Sequence, residues 1–187
     1  MKAPMRILIV GAKGYVGAEL AREMLDRGHK VVAVDIGQDP GRLTPLADKI
    51  EWTYGDGASI ETIYRAIGRK PVDAIYYGPF YRGKSVEREL ELMASGTWRV
   101  FQLAQALDIR RIIFPSSTAV HGYQRPSVDL VSETEHLNTD TLYGSTKLMC
   151  EHVGAAINRV VGRNVITSVR LPSVYGPGAE IGSRRVN

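Results

Sequence analysis

Tyr143 and Lys147 stand four residues apart, and Ser117 lies upstream of both. A free phenol titrates near ~10, too high for proton exchange at neutral pH. An ammonium beside it stabilises the phenolate and lowers that value. On a helix, a spacing of four places two side chains one turn apart on the same face. A phenol activated in this way can take or give the proton of a substrate hydroxyl. A serine hydroxyl such as that of Ser117 can hold the substrate oxygen beside it. A Tyr and a Lys at this spacing also occur as an incidental surface pair, so the reading depends on what surrounds them.

Near the N-terminus, Gly11-Ala12-Lys13-Gly14-Tyr15-Val16-Gly17 follows the apolar run Ile7 to Val10. A glycine turn between a strand and a helix is the context of a dinucleotide-binding fingerprint. Gly11 permits the tight turn, Gly14 lets the backbone approach a pyrophosphate, and Gly17 lets the helix pack close to the sheet. The helix start around Tyr15 and Val16 offers free N–H groups and a partial positive charge to the phosphates. The G-x-x-G-x-x-G spacing differs by one residue from the commonest form, and three glycines can also mark an ordinary turn. Asp35 strengthens the case. At the end of a second, Val-rich strand its carboxylate can accept hydrogen bonds from both adenosine ribose hydroxyls. The same charge repels a 2′-phosphate, so NAD is expected over NADP. Lys13 and Arg42 are counter-hints, since either could pair with a phosphate. Asp56, in Gly55-Asp56-Gly57, fits an adenine contact and a turn residue equally well.

These groups need a scaffold. Strands are expected at Arg6 to Val10, Lys30 to Val34, Ile50 to Tyr54, Val72 to Tyr77, Arg111 to Phe114 (ended by Pro115) and Val165 to Val169. Helices are expected at Ala18 to Arg27, Ser59 to Ile67, Ser85 to Leu107 (interrupted near Gly96) and Leu142 to Val161, with a loop at Gly37 to Pro45. Alternating strands and helices predict an α/β fold, a Rossmann-type doubly wound parallel sheet in three α/β/α layers. Right-handed crossovers give the strand order 3-2-1-4-5-6. Ser117 then falls at the carboxyl edge of the sheet, where ligands bind in open α/β folds. The long polar loop Gly122 to Asp140 is expected to border a binding site.

Composition is that of a soluble globular domain: 187 residues, 44% hydrophobic and 24% charged. The net charge of +4 is mild and its basic residues are scattered, which argues against nucleic acid. Ile7 to Val10 is too short for a membrane span or a signal segment. The single cysteine, Cys150, allows no internal disulfide and suits a reducing, cytoplasmic setting; it reads as a small packed hydrophobe. His29, His136 and His152 form no metal spacing with it or with one another, so no metal is assigned. Trp52 and Trp98 read as core or interface residues. His121 is a substrate contact or a satisfied loop histidine. Tyr81, Arg82 and Lys84 meet an anionic substrate or form a solvated loop.

Taken together, the sequence resembles the extended short-chain dehydrogenase/reductase family, in its epimerase/dehydratase branch. The matching stretches are Gly11 to Gly17, Asp35, Gly55-Asp56, Ser116-Ser117-Thr118-Ala119-Val120-His121-Gly122, Tyr143-Gly144-Ser145-Thr146-Lys147, and Arg170 with Val174-Tyr175-Gly176-Pro177-Gly178. The resemblance implies Tyr143 as general acid/base, Lys147 as the group that lowers its pKa and holds the nicotinamide ribose, and Ser117 as the substrate-orienting hydroxyl. It implies a cofactor set of Gly11, Lys13, Gly14, Tyr15, Val16, Gly17, Asp35, Asp56, Gly78, Tyr143, Lys147 and Leu171. It also implies NAD or NADP as cofactor, a sugar nucleotide or related polyol as substrate, and a homodimer packed through the two long helices. Four positions depart from the family pattern: Met93 replaces a frequent Asn, Tyr77-Gly78-Pro79-Phe80 replaces His-Leu-Ala-Ala, His121 replaces Tyr, and Ser173 replaces Asn. Residues 1–178 are expected to form the Rossmann domain with the Ser-Tyr-Lys site. Residues 179–187 are expected to be a short tail beginning a truncated substrate lobe that is otherwise largely absent. The expected function is that of an NAD-dependent epimerase/dehydratase-like oxidoreductase. The alternative is a non-catalytic NAD(P)-binding module or an inactive truncated member.

Overall fold

Six short runs rich in Val, Ile and Leu become strands: β1 (Arg6–Val10), β2 (Lys30–Asp35), β3 (Ile50–Tyr54), β4 (Ala74–Tyr77), β5 (Ile112–Ser117) and β6 (Ile166–Leu171). All pair in parallel, in the order β3-β2-β1-β4-β5-β6. The expected doubly wound sheet is therefore present. The computed structural model describes residues 3–79, 85–122, 131–135 and 137–177. Phe80, Tyr81, Arg82, Lys84, residues 123–130 of the long loop, His136, Gly178 and the tail 179–187 lie outside them.

Strand residues alternate between two cores because successive side chains point to opposite faces. Leu8, Val10, Val34, Ile75, Tyr77 and Phe114 face α2 (Ile60–Ile67), α4 (Gly96–Ala106) and α5 (Leu142–Val161). Ile7, Ile9, Val31, Ala33 and Tyr76 face α1 (Tyr15–Asp26) and Leu43. Helices thus cover both faces, giving the three layers.

Four local expectations change. First, α1 begins at Tyr15, directly after its N-cap Gly14, and Gly17 lies inside it. Second, the segment read as a loop holds a 3-10 helix, Gly41–Lys49, with Leu43 fully buried. Leu43 and Leu46 are three apart, which matches the three residues per turn of that helix. Third, the interruption expected near Gly96 is a π-turn ending at Ser95 and not a break in the helix. The helix runs through α3 (Val86–Leu90), a π-turn at Glu91–Ser95 and α4. Fourth, Pro115 does not end β5, which pairs with β6 as far as Ser117↔Leu171. Pairing with β4 has stopped at Tyr76↔Ile113, so past that point the strand has a ladder on one side only. A proline facing the unpaired side costs no ladder bond.

Candidate active site

The glycine turn is tied to the sheet by its own backbone. Gly11 donates to the Val34 carbonyl at 2.9 Å and adopts φ +80°. A Cβ at Gly11 would clash with the Gly78 carbonyl oxygen, and one at Gly17 would clash with the Gly11 carbonyl. Gly17 therefore lets the helix close onto the turn itself. Gly78 donates to the Val10 carbonyl at 3.1 Å, so the ends of β1 and β4 meet at the middle of the sheet. Gly14 has no side chain to cap α1, and the first turn of the helix carries no acidic residue. This end is open to an anion.

Asp35 closes β2 and is half-buried. One carboxylate oxygen accepts from the Lys13 N–H at 2.7 Å and the other from the Ile36 N–H at 2.8 Å. Each oxygen keeps a further lone pair. The Lys13 ammonium does not point into the turn; it donates to the Ile36 and Gly37 carbonyls beyond Asp35. Arg42 lies over the Tyr15 ring, 5.2 Å from its centroid, and the Tyr15 hydroxyl donates to the Pro177 carbonyl at 3.4 Å. Asp56 shows its turn role, accepting from Ala58 N–H at 2.8 Å, and it also pairs with Arg88 of α3. The Ala58 and Arg88 bonds outweigh the cost of burial and hold the Asp56 carboxyl below its usual range.

At the other end, the Thr141 hydroxyl caps α5 by accepting from Gly144 N–H at 3.0 Å. A Cβ at Gly144 would stand 2.8 Å from the Ala119 carbonyl oxygen. The missing side chain lets the first turn of α5, which carries Tyr143, settle on the 3-10 turn Thr118–His121 that follows Ser117. The Ser117 hydroxyl caps that turn, accepting from Ala119 N–H at 3.2 Å. One helical turn beyond Tyr143, the Lys147 side chain crosses to β5 and donates to the Pro115 carbonyl at 2.7 Å. That carbonyl is free because β4 has already left β5.

The ammonium of Lys147 sits 5.6 Å from the Tyr143 ring centroid and 4.6 Å from that of Phe114. Lys147 is 3% exposed, and burial pushes its pKa down to about 8. Tyr76 on β4 is pushed up to about 12, first by burial and then by the neighbouring Tyr143 phenol. Leu171 ends β6 opposite Ser117; Val16 packs beside the α1-side core.

The departures from the family pattern also have places. Met93 is buried in the π-turn, and its carbonyl accepts from the Thr97 hydroxyl at 2.6 Å and the Cys150 thiol at 3.0 Å. Cys150 is thus more than a packed hydrophobe. Tyr77 is fully buried, and its hydroxyl has no partner among the described residues. His121 lies 3.3 Å from Arg170. Sequence reasoning missed Glu151. It sits four residues after Lys147 and is gripped by Arg170 through bonds of 2.8, 3.1 and 3.2 Å. The signal was the repeat of four linking Tyr143, Lys147 and Glu151 along one helix face.

Residues 7–187 match the NAD dependent epimerase/dehydratase family. The chain belongs to that family. A UDP-glucose 4-epimerase from Lactobacillus helveticus is 25% identical over 181 residues, covering 94% of this chain and 54% of the relative. A 3-beta-hydroxysteroid dehydrogenase from Mycolicibacterium neoaurum is 26% identical over 195 residues, covering 97% and 50%. Among solved structures, dTDP-glucose 4,6-dehydratase from Bacillus anthracis in complex with NAD superposes with a TM-score of 0.78 at 19% identity, covering 92% of this chain and 56% of that one. UDP-glucuronic acid 4-epimerase from Bacillus cereus in complex with NAD gives 0.77 at 23%, covering 92% and 58%. At these identities the structural likeness speaks for the fold. This family member spans about half the length of the curated relatives it matches.

Proposed function

We propose that this chain is an NAD-dependent oxidoreductase of the epimerase/dehydratase type, carrying the dinucleotide-binding and acid/base residues and acting on a sugar nucleotide or related polyol. The observation that carries the reading is the buried Lys147 ammonium on the Tyr143 ring, at the carboxyl edge of the sheet that also carries the glycine turn. The residues present fit a dinucleotide. Gly11 and Gly17 let the turn close tightly onto the end of β4 and onto α1, α1 opens with no side-chain cap and no acidic residue in its first turn, and Asp35 keeps acceptor capacity for ribose hydroxyls. When bound, NAD supplies the hydride acceptor and donor.

The chain's own residues supply the proton chemistry. Ser117 holds the substrate oxygen. Tyr143 takes the hydroxyl proton when the carbon is oxidised and returns it on reduction. Lys147 stabilises the phenolate, held in place by the Pro115 carbonyl. Asp35 faces the ribose end, where its charge favours NAD over NADP. The remaining cofactor contacts are assigned to Gly11, Lys13, Gly14, Tyr15, Val16, Gly17, Asp56, Gly78 and Leu171.

The relatives include UDP-glucose 4-epimerases, and one solved neighbour is a complex with UDP-glucuronic acid and NAD. These support the sugar-nucleotide class. Among the described residues no helix is long and apolar enough to cross a membrane, and a cytoplasmic setting fits the lone cysteine. Val86, Leu90 and Trp98 along α3–α4, with Leu142, Met149 and Val160 along α5, are exposed apolar residues. Such a patch supports a homodimer packed through these helices.

Calorimetry with NAD, followed by a nicotinamide reduction assay over a panel of sugar nucleotides and polyols, tests the reading. Wild type should bind NAD and turn over one class, and Tyr143→Phe should bind NAD comparably but lose turnover by roughly a hundredfold or more. Absence of NAD binding, or full turnover by the Phe variant, contradicts it.

A further inference from the structure

Three successive residues at the end of β5 each carry one link. The Pro115 carbonyl accepts from Lys147 at 2.7 Å. The Ser116 hydroxyl donates to Glu151, one turn beyond Lys147 on α5. Ser117 presents the hydroxyl assigned above to the substrate. Glu151 cannot move away from Ser116, because Arg170 of β6 holds both carboxylate oxygens. Arg170 in turn donates to the Glu133 carbonyl at 2.9 Å and lies 3.3 Å from His121. The ion pair is sheltered, with side-chain exposures of 21% for Arg170 and 11% for Glu151. A charge-assisted pair with these bonds is rigid, whereas an exposed one is not.

We propose that Ser116 and Glu151 are positioning residues, which with Arg170 clamp the corner of β5 so that the Pro115 carbonyl keeps the Lys147 ammonium on the Tyr143 ring. This rests on the proton-transfer reading above. Neither Ser116 nor Glu151 touches the reacting atoms in that reading. They act through the strand they pin. Among the described residues, Lys147 on its own helix and Tyr76 from β4 are charged or titratable neighbours of Tyr143.

Phenolate absorbance, titrated with the Tyr143→Phe curve subtracted, reads this phenol without needing a substrate. Ser116→Ala cuts the link and leaves the Glu151–Arg170 pair intact. It should raise the Tyr143 titration midpoint by about half a pH unit or more, because the ammonium is no longer fixed on the ring. Ser116→Thr, which restores the hydroxyl, should titrate like wild type. Glu151→Ala separates positioning from simple charge. Removing an anion through space would lower the midpoint, whereas a loosened clamp raises it. Should Glu151→Ala fail to fold, Ser116→Ala still decides. Val31→Ala, in the opposite core, is the control for general loosening. An unchanged midpoint in Ser116→Ala, or an equal rise in Val31→Ala, overturns the clamp alone. A wild-type midpoint at the value of an ordinary exposed phenol overturns both the clamp and the lysine-activated tyrosine.

Discussion

The Lys147 ammonium lies 2.7 Å from the Pro115 carbonyl oxygen, and with the Ser116–Glu151 bond it joins helix α5 to the strand end where Ser117 stands. The bond exists because a proline occupies a position where the ladder to β4 has already stopped. Lys147 is therefore held by a carbonyl rather than by a carboxylate, and its charge remains available to the phenol beside it.

A buried ammonium has a stability cost. Burial takes Lys147 from 10.5 to about 8 in the fold. Between these values the unfolded chain holds a proton that the folded chain has released, so this group makes stability rise with pH across that window. Below pH 8 the folded state bears the full cost. Lys147→Met should therefore stabilise the chain at neutral pH by on the order of 2 kcal/mol. The gain should fade as the pH approaches 10.5. Urea denaturation of both proteins at the two ends of the window measures it, and a destabilised Met variant at neutral pH would contradict the assignment.

Cofactor choice should turn on Asp35. Its carboxylate sits beside Lys13, whose ammonium now rests on the Ile36 and Gly37 carbonyls. Asp35→Ser should weaken NAD by roughly tenfold or more, from loss of charge-assisted bonds to the ribose. It should strengthen NADP, because Lys13 can swing onto a 2′-phosphate once the repelling charge is gone. Titrating both dinucleotides against both proteins gives the ratio, and an unmoved ratio would remove Asp35 from the cofactor site.

Two glycines with almost the same backbone should respond differently to alanine. Gly11 has φ +80° with the Gly78 carbonyl in the way of a Cβ, while Gly28 has φ +79° with nothing within 4 Å. Gly28→Ala should lose about 1 kcal/mol, from backbone strain alone. Gly11→Ala should lose about 2–4 kcal/mol, because the ends of β1 and β4 must also separate. NAD affinity should fall in the second variant and hold in the first. Equal thermal shifts in the two would mean that the contact with Gly78 carries no weight.

The helix pair carries the assembly prediction. Met149 is 44% exposed in the middle of α5. Met149→Lys should convert a dimer into a monomer in sedimentation experiments while leaving NAD binding intact. Wild type that sediments as a monomer at high concentration would dispose of the dimer.

Much of this was legible in the sequence. Leu142–Val161 was expected with the ends observed, which lie between the Thr141 and Gly162 caps. The glycine turn, Asp35 and the Tyr143–Lys147 pair stood out by residue type and spacing alone. Pro115 misled because a proline's meaning depends on which side of the strand is paired, and that is a property of the sheet. Leu43 was hidden between Gly41 and Pro45, where a 3-10 period is too short to stand out. Glu151 was not singled out in the sequence. Its partner lies 19 residues on, in a strand, and nothing in the local sequence records which cation a carboxylate will meet.

The wide turn at Glu91–Ser95 carries one residue more than an α-helix needs, and its Met93 carbonyl is bound by Thr97 and by Cys150 across the interface. The oddity is therefore a seam between neighbouring rods. Wound as regular α-helix with no residue removed, this stretch would swivel everything after it by roughly a quarter turn. Trp98 would then leave the solvent-facing flank, and Phe101 would be dragged off its edge-on contact with Phe114. By taking up its surplus residue, the wide turn fixes the azimuth of α4.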